Sequence, residues 1–223
     1  MAAGQQKMMD NNRVAIIDYG LCNLFSVVSA CRYVGLEPVI SSDHNEIMSC
    51  GGAILPGVGA FGEAMVQIRH KNLDKTIYEF VKSKKPFMGV CLGLQLLFDR
   101  SEEFGEFEGL GIIPGQVKKI PSEYGKVPHI GWNTIEISKS NLRREIINTI
   151  DQNEFMYFIH SYYVVPKNHQ DILTSTHYGD LRYCSSISRD NIWAFQFHPE
   201  KSGEAGMRIY QQFKISITKA SKI

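Results

Sequence analysis

Residues 86–98 read PFMGVCLGLQLLF, and this stretch decides which fold the chain is expected to adopt. Residues 86–90 predict a short strand, and the leucines that follow predict a helix that includes Phe98. Gly89 and Gly93 flank the junction, where glycine permits a sharp turn of the backbone. A strand that runs straight into a helix indicates an α/β protein.

The same alternation occurs upstream. Residues 14–17, 38–40 and 53–55 predict three more strands, and the first is continuously apolar, as expected of a strand buried on both faces. Helical spacing of apolar residues follows at 24–31 and again at 61–81. Strands that alternate with helices predict a parallel sheet with helices on both faces.

The second half of the chain shows a different pattern. Residues 133–138 alternate polar and apolar side chains, and 155–165 are rich in Tyr, Phe and Val, as strands often are. A turn is predicted at 189–191 and a last helix over 204–213. Further strands are predicted at 172–176, 183–187 and 192–198. The sequence therefore predicts one α/β domain, residues 13–223, whose mainly parallel mixed sheet is flanked by helices and extended by antiparallel strands.

Composition excludes several classes of protein. The chain has 223 residues, of which 43% are apolar and 21% charged, so a folded domain is expected. Lys and Arg number 24 and Asp and Glu 23, and this balance argues against nucleic acid or an anionic membrane as partner. The longest apolar run, 87–98, is interrupted by Gln95 and is too short to span a membrane.

The cysteines indicate the compartment. Five cysteines, widely spaced and without a CxxC pair, favour free thiols in the cytoplasm over disulfides or a zinc site. We expect neither a metal nor a cofactor. Residues 1–12, MAAGQQKMMDNN, have no apolar stretch of the secretory kind, so we expect a flexible polar lead-in there.

Cys91 is the candidate nucleophile. It is the central residue of GVCLG at 89–93, a pattern of the form that places a nucleophile on a tight strand-to-helix turn. The start of the following helix would favour its thiolate. The alternative is a structural cysteine buried in a close-packed turn.

His198 and Glu200 are the candidate base and orienting carboxylate. Both belong to FHPE at 197–200, after an apolar strand. In extended chain they would point the same way, about 6.5 Å apart, and Pro199 would end the strand. Together with Cys91 they follow the order of nucleophile, base and orienting acid. A strand-end histidine beside a solvated glutamate is the alternative.

The loop PGVG at 56–59 is the candidate oxyanion-binding segment. Its glycines suit close approach of backbone N–H groups to a ligand. Val58 would supply one N–H to an oxyanion and Leu92, the residue after Cys91, the other. The loop would otherwise be a simple turn before a helix, and it has no lysine of the phosphate-binding pattern.

Six segments in order resemble class I glutamine amidotransferases over residues 13–215. The cysteine and histidine motifs are typical of that whole family. GWN at 131–133 and HPEKS at 198–202 are similar to the subfamily of glutaminases that serve imidazole glycerol phosphate synthase. The six are GLCNLFSV (20–27), PGVGAFG (56–62), CLGLQLLF (91–98), PHIGWN (128–133), FIHSYY (158–163) and FHPEKS (197–202).

The resemblance implies a reaction. Cys91 would attack the side-chain carboxamide of L-glutamine, release ammonia and form a glutamyl thioester that water hydrolyses. His198 would move the protons and Glu200 would orient it. Gln95 and Glu103 would contact glutamine. The remaining contacts implied are the backbone of Gly57 and Gly59 and the segment His160, Ser161 and Tyr162.

The resemblance also implies a partner, a (β/α)8-barrel cyclase subunit that takes the ammonia. The heterodimer would make imidazole glycerol phosphate and an aminoimidazole carboxamide ribotide in histidine biosynthesis. Asn23, Trp132 and Lys201 match positions that face this cyclase. A helix cap, a core aromatic and a surface charge are their structural alternatives.

Three alternatives stay open. A related glutaminase could supply ammonia to a surface-polysaccharide sugar, since Phe25 replaces a residue that is more often polar and 201–206 suits that group as well. A cysteine peptidase or γ-glutamyl hydrolase could use the same triad. A non-catalytic binding subunit could retain these motifs without turnover.

Overall fold

The computed structural model describes residues 12–21, 24–138 and 149–220. Asn23, which the resemblance assigns to the partner interface, lies outside these residues. So do residues 1–11 of the expected lead-in.

Four parallel strands form the first half of the sheet. They lie in the order β2-β1-β3-β4, and each neighbouring pair is parallel. β3 and β4 are buried along their whole length, as expected where helices cover both faces. These strands and the intervening helices are β1 (Arg13–Ile17), α1 (Leu24–Tyr33), β2 (Glu37–Ser41), α2 (His44–Ser49), β3 (Gly52–Leu55), α3 (Phe61–His70), α4 (Leu73–Lys82) and β4 (Phe87–Val90).

The second half extends the sheet, mostly with antiparallel strands. Twelve strands of the described residues form one mixed sheet, while β8 and β10 form a separate antiparallel ribbon. β14 lies parallel to β4 and joins the two halves. The elements are α5 (Leu92–Leu96), β5 (Phe98–Ser101), β6 (Phe107–Glu108), β7 (Ile113–Lys119), β8 (His129–Thr134), β9 (Glu136–Ile137), β10 (Phe155–His160), β11 (Tyr162–Pro166), β12 (Ile172–Tyr178), β13 (Leu181–Arg189), β14 (Ile192–Phe195) and α6 (Gly203–Ala220).

The core has two layers, one on each face of the sheet. Successive residues of β1 alternate between them, because side chains of a strand point to opposite faces. Ala15 and Ile17 pack in one layer with residues of α3 and α4, whereas Val14 and Ile16 pack in the other with residues of α1 and α6. The predicted α/β class, with a mainly parallel mixed sheet flanked by helices, is confirmed.

Several predicted boundaries are wrong. The single helix predicted over 61–81 is two, because Asn72 adopts a left-handed conformation with φ 54° between them. α2 has only six residues, too few to show a helical period of apolar side chains. Its start is set by Asp43, whose carboxylate accepts the Glu46 N–H at 2.8 Å.

The helix predicted to include Phe98 ends early. α5 stops at Leu96, and Phe98 begins β5, which pairs in parallel with β7. An apolar run of this length fits a buried helix or a buried strand equally well, and pairing with β7 decides between them. The strand predicted over 192–198 likewise ends at Phe195.

No helix within the described ranges combines the length and the apolarity needed to cross a membrane.

Candidate active site

The nucleophile candidate lies at the junction of β4 and α5. Cys91 has φ 54° and ψ −110°, a backbone conformation that is strained for any residue other than glycine. Its N–H donates to the Phe195 carbonyl at 2.7 Å, so the turn is tied to the end of β14. The described structure therefore contains the sharp turn that the GVCLG pattern predicts.

Gly93 allows this turn to pack against β3. A Cβ atom at Gly93 would lie 1.8 Å from the Leu55 carbonyl oxygen. We expect Gly93→Ala to lower the free energy of unfolding by at least about 3 kcal/mol, because two backbone segments would have to separate. Urea unfolding measures this change.

The matched control is Gly203→Ala. Gly203 has φ 60°, yet a Cβ atom there would meet no heavy atom within 4 Å. Gly203→Ala should lower the free energy of unfolding by about 1 kcal/mol, which is the cost of the left-handed conformation alone. Equal losses in the two variants would contradict the close approach at Gly93.

His198 and Glu200 form a buried ion pair. His198 Nδ1 lies 2.7 Å from Glu200 Oε1, and both side chains are buried. The extended geometry expected between them is wrong, because Pro199–Lys201 is a 3-10 helix. Proline suits the first turn of a helix, so Pro199 bends the chain rather than only ending the strand. The Ser202 hydroxyl, which donates to the His198 carbonyl at 2.7 Å, holds the bend.

The surroundings of His198 favour its protonated form. Burial alone would lower the pKa of His198, but hydrogen bonds and negative charge from Cys91 and Glu200 outweigh burial and raise the pKa to about 10. Among the described residues, Nε2 of His198 has no hydrogen bond of ordinary geometry. Catalytic hydrogen bonds often tighten only with substrate bound, so this nitrogen is placed to exchange a proton with the thiol.

A cavity of about 360 Å³ opens between Cys91 and His198. Gly57, in contrast, lies behind its wall, where an added Cβ atom would be 2.7 Å from the Tyr19 hydroxyl. Pro128 and Ile159 also line the cavity and were not singled out from the sequence. The predicted site residues that line it are Val58, Gly59, Cys91, Leu92, Gln95, Glu103, His160, Ser161, Tyr162, His198 and Lys201.

Leu92 and Val58, the two residues expected to supply N–H groups to an oxyanion, both line the cavity. Leu92 is the first residue of α5, so its N–H has no carbonyl partner within that helix. Val58 is partly exposed, and Gly59 beside it has φ 92°. A peptide flanked by glycines on both sides reorients at little cost.

Gln95 and Glu103 use part of their bonding capacity within the protein. Gln95 Nε2 donates to the Tyr162 carbonyl and to Gln196 Oε1, both at 3.0 Å, which leaves its own Oε1 for a ligand. Glu103 Oε2 accepts the Phe61 N–H at 2.6 Å at the start of α3. Burial raises the pKa of Glu103, although this hydrogen bond opposes the rise.

His160 belongs to a buried network and does not present a free ring to the cavity. Its Nδ1 donates to the Tyr162 carbonyl at 2.8 Å, and its Nε2 is 3.2 Å from the Tyr183 hydroxyl. The same hydroxyl is 3.1 Å from His129 Nδ1. Burial lowers the pKa of His160 to about 3 and that of His129 to about 4, so both rings are neutral. A ligand would therefore meet segment 160–162 at groups other than the His160 ring.

An exposed apolar face lies beside the cavity on the β8–β10 ribbon. Trp132 pairs with Tyr157 and Ile130 pairs with Ile159, so their side chains share one face. Trp132 is 55% exposed and Ile130 57%. Ile159 belongs both to this face and to the cavity wall. We call Ile130, Trp132, Tyr157 and Ile159 the ribbon face.

Comparisons with known proteins agree on one family. Residues 15–217 match the family described as "Glutamine amidotransferase class-I". The chain is 46% identical over 203 residues to "Imidazole glycerol phosphate synthase subunit HisH" of Aquifex aeolicus, covering 91% of this chain and 96% of that protein. The protein of the same name from Listeria innocua is 44% identical over 210 residues, covering 94% and 98%.

Solved structures show the same fold at lower identity. A structure described as "Crystal structure of glutamine amidotransferase" has a TM-score of 0.70 at 15% identity and covers 94% of this chain and 99% of its own. "Structure of PurLQS from Thermotoga maritima" also has a TM-score of 0.70, at 19% identity, and covers 90% and 96%.

Proposed function

The chain belongs to the class I glutamine amidotransferase family, and on that premise we propose that it is the glutaminase subunit of an imidazole glycerol phosphate synthase. It hydrolyses L-glutamine and passes the ammonia to a cyclase subunit in histidine biosynthesis. One observation carries the catalytic assignment: the buried His198–Glu200 pair lies beside the same cavity as Cys91 on its strained turn. The relatives that bear the synthase subunit name support the pathway.

The first half of the reaction forms a thioester. His198 Nε2 holds the proton of the Cys91 thiol, and Sγ attacks the side-chain carboxamide carbon of glutamine as a thiolate. The oxyanion is stabilised by the N–H groups of Leu92 and Val58. The C–N bond then breaks, and the proton on His198 passes to the departing nitrogen, which leaves as ammonia.

The second half releases glutamate. A water molecule gives a proton to His198 and attacks the thioester, and the C–S bond breaks after a second oxyanion forms at the same N–H groups. The proton on His198 returns to the sulfur. Glu200 acts throughout by holding Nδ1–H, which leaves Nε2 to exchange protons.

The cavity supplies groups that suit the amino-acid end of glutamine. We assign the Oε1 atom of Gln95 and the second carboxylate oxygen of Glu103, both on cavity-lining residues, as acceptors of hydrogen bonds from the α-ammonium group. Backbone groups of segment 160–162 and of Gly59 complete the contacts. Lys201 lines the cavity as well, so we assign it to the border between the cavity and the partner interface.

The ammonia acceptor is held by a partner. Ammonia that escapes into neutral water is mostly protonated to ammonium and loses its nucleophilic electron pair, so transfer within a complex keeps it reactive. We propose that the partner is a (β/α)8-barrel cyclase and that it docks on the ribbon face. This surface is apolar, exposed and adjacent to the cavity. Asn23 stays assigned to the same interface on the resemblance alone.

Trp132 is expected to anchor this interface. Exposed tryptophans at the centre of interfaces often carry a large share of the binding energy. We expect Trp132→Ala to weaken binding of the cyclase subunit by at least about 30-fold, measured by titration calorimetry. Tyr78→Ala, which removes an exposed aromatic side chain from α4, is the matched control and should leave binding unchanged. Equal affinity of Trp132→Ala and wild type for the cyclase would contradict a binding site at Trp132.

The proposed function is tested by following glutamate formation from glutamine. We expect slow hydrolysis by the chain alone and faster hydrolysis with the cyclase and its ribotide ligand, because a partner that prefers one state of the Val58 loop raises the population of that state. Full activity of the chain alone would contradict this dependence and leave the triad assignment standing.

Faster cleavage of γ-glutamyl peptides than of glutamine would favour the hydrolase alternative. Stimulation of glutamine hydrolysis only by a sugar-aminating partner would contradict the role in histidine biosynthesis and favour ammonia supply to a surface-polysaccharide sugar.

A further inference from the structure

Gln196 is a fully buried polar residue at the nucleophile. Val90 of β4 and Phe195 of β14 are register partners in neighbouring parallel strands. The residues that follow them, Cys91 and Gln196, therefore stand side by side. Gln196 Nε2 lies 3.8 Å from Cys91 Sγ, within the range of a hydrogen bond to sulfur.

The neighbours of Gln196 decide which end of its amide meets the sulfur. Gln95 Nε2 must be a donor, because it contacts the Tyr162 carbonyl at 3.0 Å and a carbonyl only accepts. Its other contact, also at 3.0 Å, must then be an acceptor, which is Gln196 Oε1. The opposite end of Gln196, its NH2 group, is thus directed at Cys91.

The Tyr162 carbonyl anchors this arrangement. It also accepts the Nδ1–H of His160 at 2.8 Å, so both of its lone pairs are used. If the Gln95 amide were turned round, its oxygen would face the Tyr162 carbonyl, and the hydrogen bond between these two groups would be lost. The orientation of Gln196 is therefore set by groups that do not touch the sulfur.

We propose that Gln196 is a further catalytic residue that donates a hydrogen bond to the Cys91 sulfur and stabilises it as a thiolate, both when it attacks and when it leaves. This inference deepens the proposed function and rests on it. The other contact of Sγ is the Ile159 carbonyl at 3.8 Å, which can accept from the thiol but gives nothing to a thiolate. When His198 takes the thiol proton, the sulfur is left with a negative charge to be balanced, and a donor that does not itself titrate is suited to that task.

The test is the pH dependence of Cys91 alkylation by iodoacetamide, followed by mass spectrometry on the peptide that contains Cys91. Gln196→Met keeps the size of the side chain but removes the donor. We expect the alkylation midpoint to rise by about one pH unit, a tenfold change in thiolate at a given pH. We expect kcat for glutamine to fall by about tenfold or more with KM little changed. The titratable groups around the sulfur that remain in all variants are Glu103, His160, Tyr162, His198, Glu200 and Lys201.

Two further variants sharpen the result. Gln196→Glu replaces the donor by an acceptor and should raise the midpoint more than Gln196→Met does. Thr176→Val changes a fully buried polar side chain of β12 and is the matched control, with the wild-type midpoint and activity expected. If Gln196→Met does not fold, Gln95→Met removes the donor that orients Gln196, and its alkylation midpoint, which is measured without glutamine, should still rise.

Alkylation distinguishes this inference from the proposed function, because it requires no glutamine turnover. A folded Gln196→Met protein with the wild-type midpoint would overturn the inference, whether or not the chain proves to be a glutaminase. A change confined to KM would also overturn it, since the amide would then act on substrate binding. A raised midpoint in a chain that hydrolyses no glutamine would support the donor and contradict the reaction.

Discussion

Cys91→Ala is expected to reduce glutamine hydrolysis by at least about 10⁴-fold, with the cyclase partner present, while the fold is kept. Alanine has no nucleophile, and the N–H groups of Leu92 and Val58 cannot form a thioester alone. Cys91 is small and buried at the end of β4, so loss of one sulfur atom should leave circular dichroism and cooperative unfolding unchanged. Glutamate formation and thermal unfolding are the measurements.

The matched control is Cys50→Ala. Cys50 is also buried, and its sulfur bonds the Glu46 carbonyl at 3.5 Å on α2, which carries no residue assigned to the reaction. This variant should keep activity within about twofold of wild type. A Cys91→Ala rate within tenfold of wild type would mean that another residue is the nucleophile.

A glutamine-analogue electrophile supplies a second measurement on the same variants. Burial raises the pKa of Cys31 to about 12 and raises those of Cys50 and Cys184, so these thiols should react slowly. Label should therefore collect on Cys91 in the wild type and in Cys50→Ala, and should be lost in Cys91→Ala.

His198→Ala is expected to reduce hydrolysis by about 10³- to 10⁵-fold, and Glu200→Gln by less, about 10- to 10³-fold. The base moves a proton in every bond-making step, whereas Glu200 only holds the ring by its 2.7 Å contact. Steady-state glutamate formation in the complex measures both. A larger loss in Glu200→Gln than in His198→Ala would reverse the assigned roles.

A second histidine–glutamate pair provides the control. His44 Nε2 and Glu79 Oε2 are 3.7 Å apart, and both side chains are largely exposed. His44→Ala and Glu79→Gln remove the same chemical groups from α2 and α4, which carry no residue assigned to the reaction. Their activity should equal that of wild type.

The pair at His198 also predicts how stability depends on pH. The pKa of His198 is raised from its ordinary value of 6.5 to about 10. The stabilisation of the folded protein by the interactions of protonated His198 is therefore fully present below about pH 6.5 and is lost as the pH rises through about 10. The difference in free energy of unfolding between wild type and Glu200→Gln should be largest near pH 6 and shrink toward pH 10. A difference that grows with pH would contradict the sign of this shift.

Some of these features follow from the sequence alone. Gly89, Cys91 and Gly93 at the end of an apolar run predict a tight strand-to-helix turn, because glycine spacing and apolar periodicity report local backbone preference. The alternating strands and helices upstream predict the parallel sheet for the same reason. The triad candidates, Cys91, His198 and Glu200, were recognisable because their residue types and their positions after strands are local facts.

Other features were decided by tertiary structure. Phe98 belongs to a strand because β7 offers a pairing partner, and Gly57 lies behind the cavity because Tyr19 and Leu92 pack there. Gln196 meets the sulfur because β14 pairs with β4 at a register that joins segments about 100 residues apart. A polar residue in the apolar run 192–197 was the one signal in the sequence. Local pattern indicates that such a residue is buried, but only long-range strand pairing determines which distant group satisfies its hydrogen bonds.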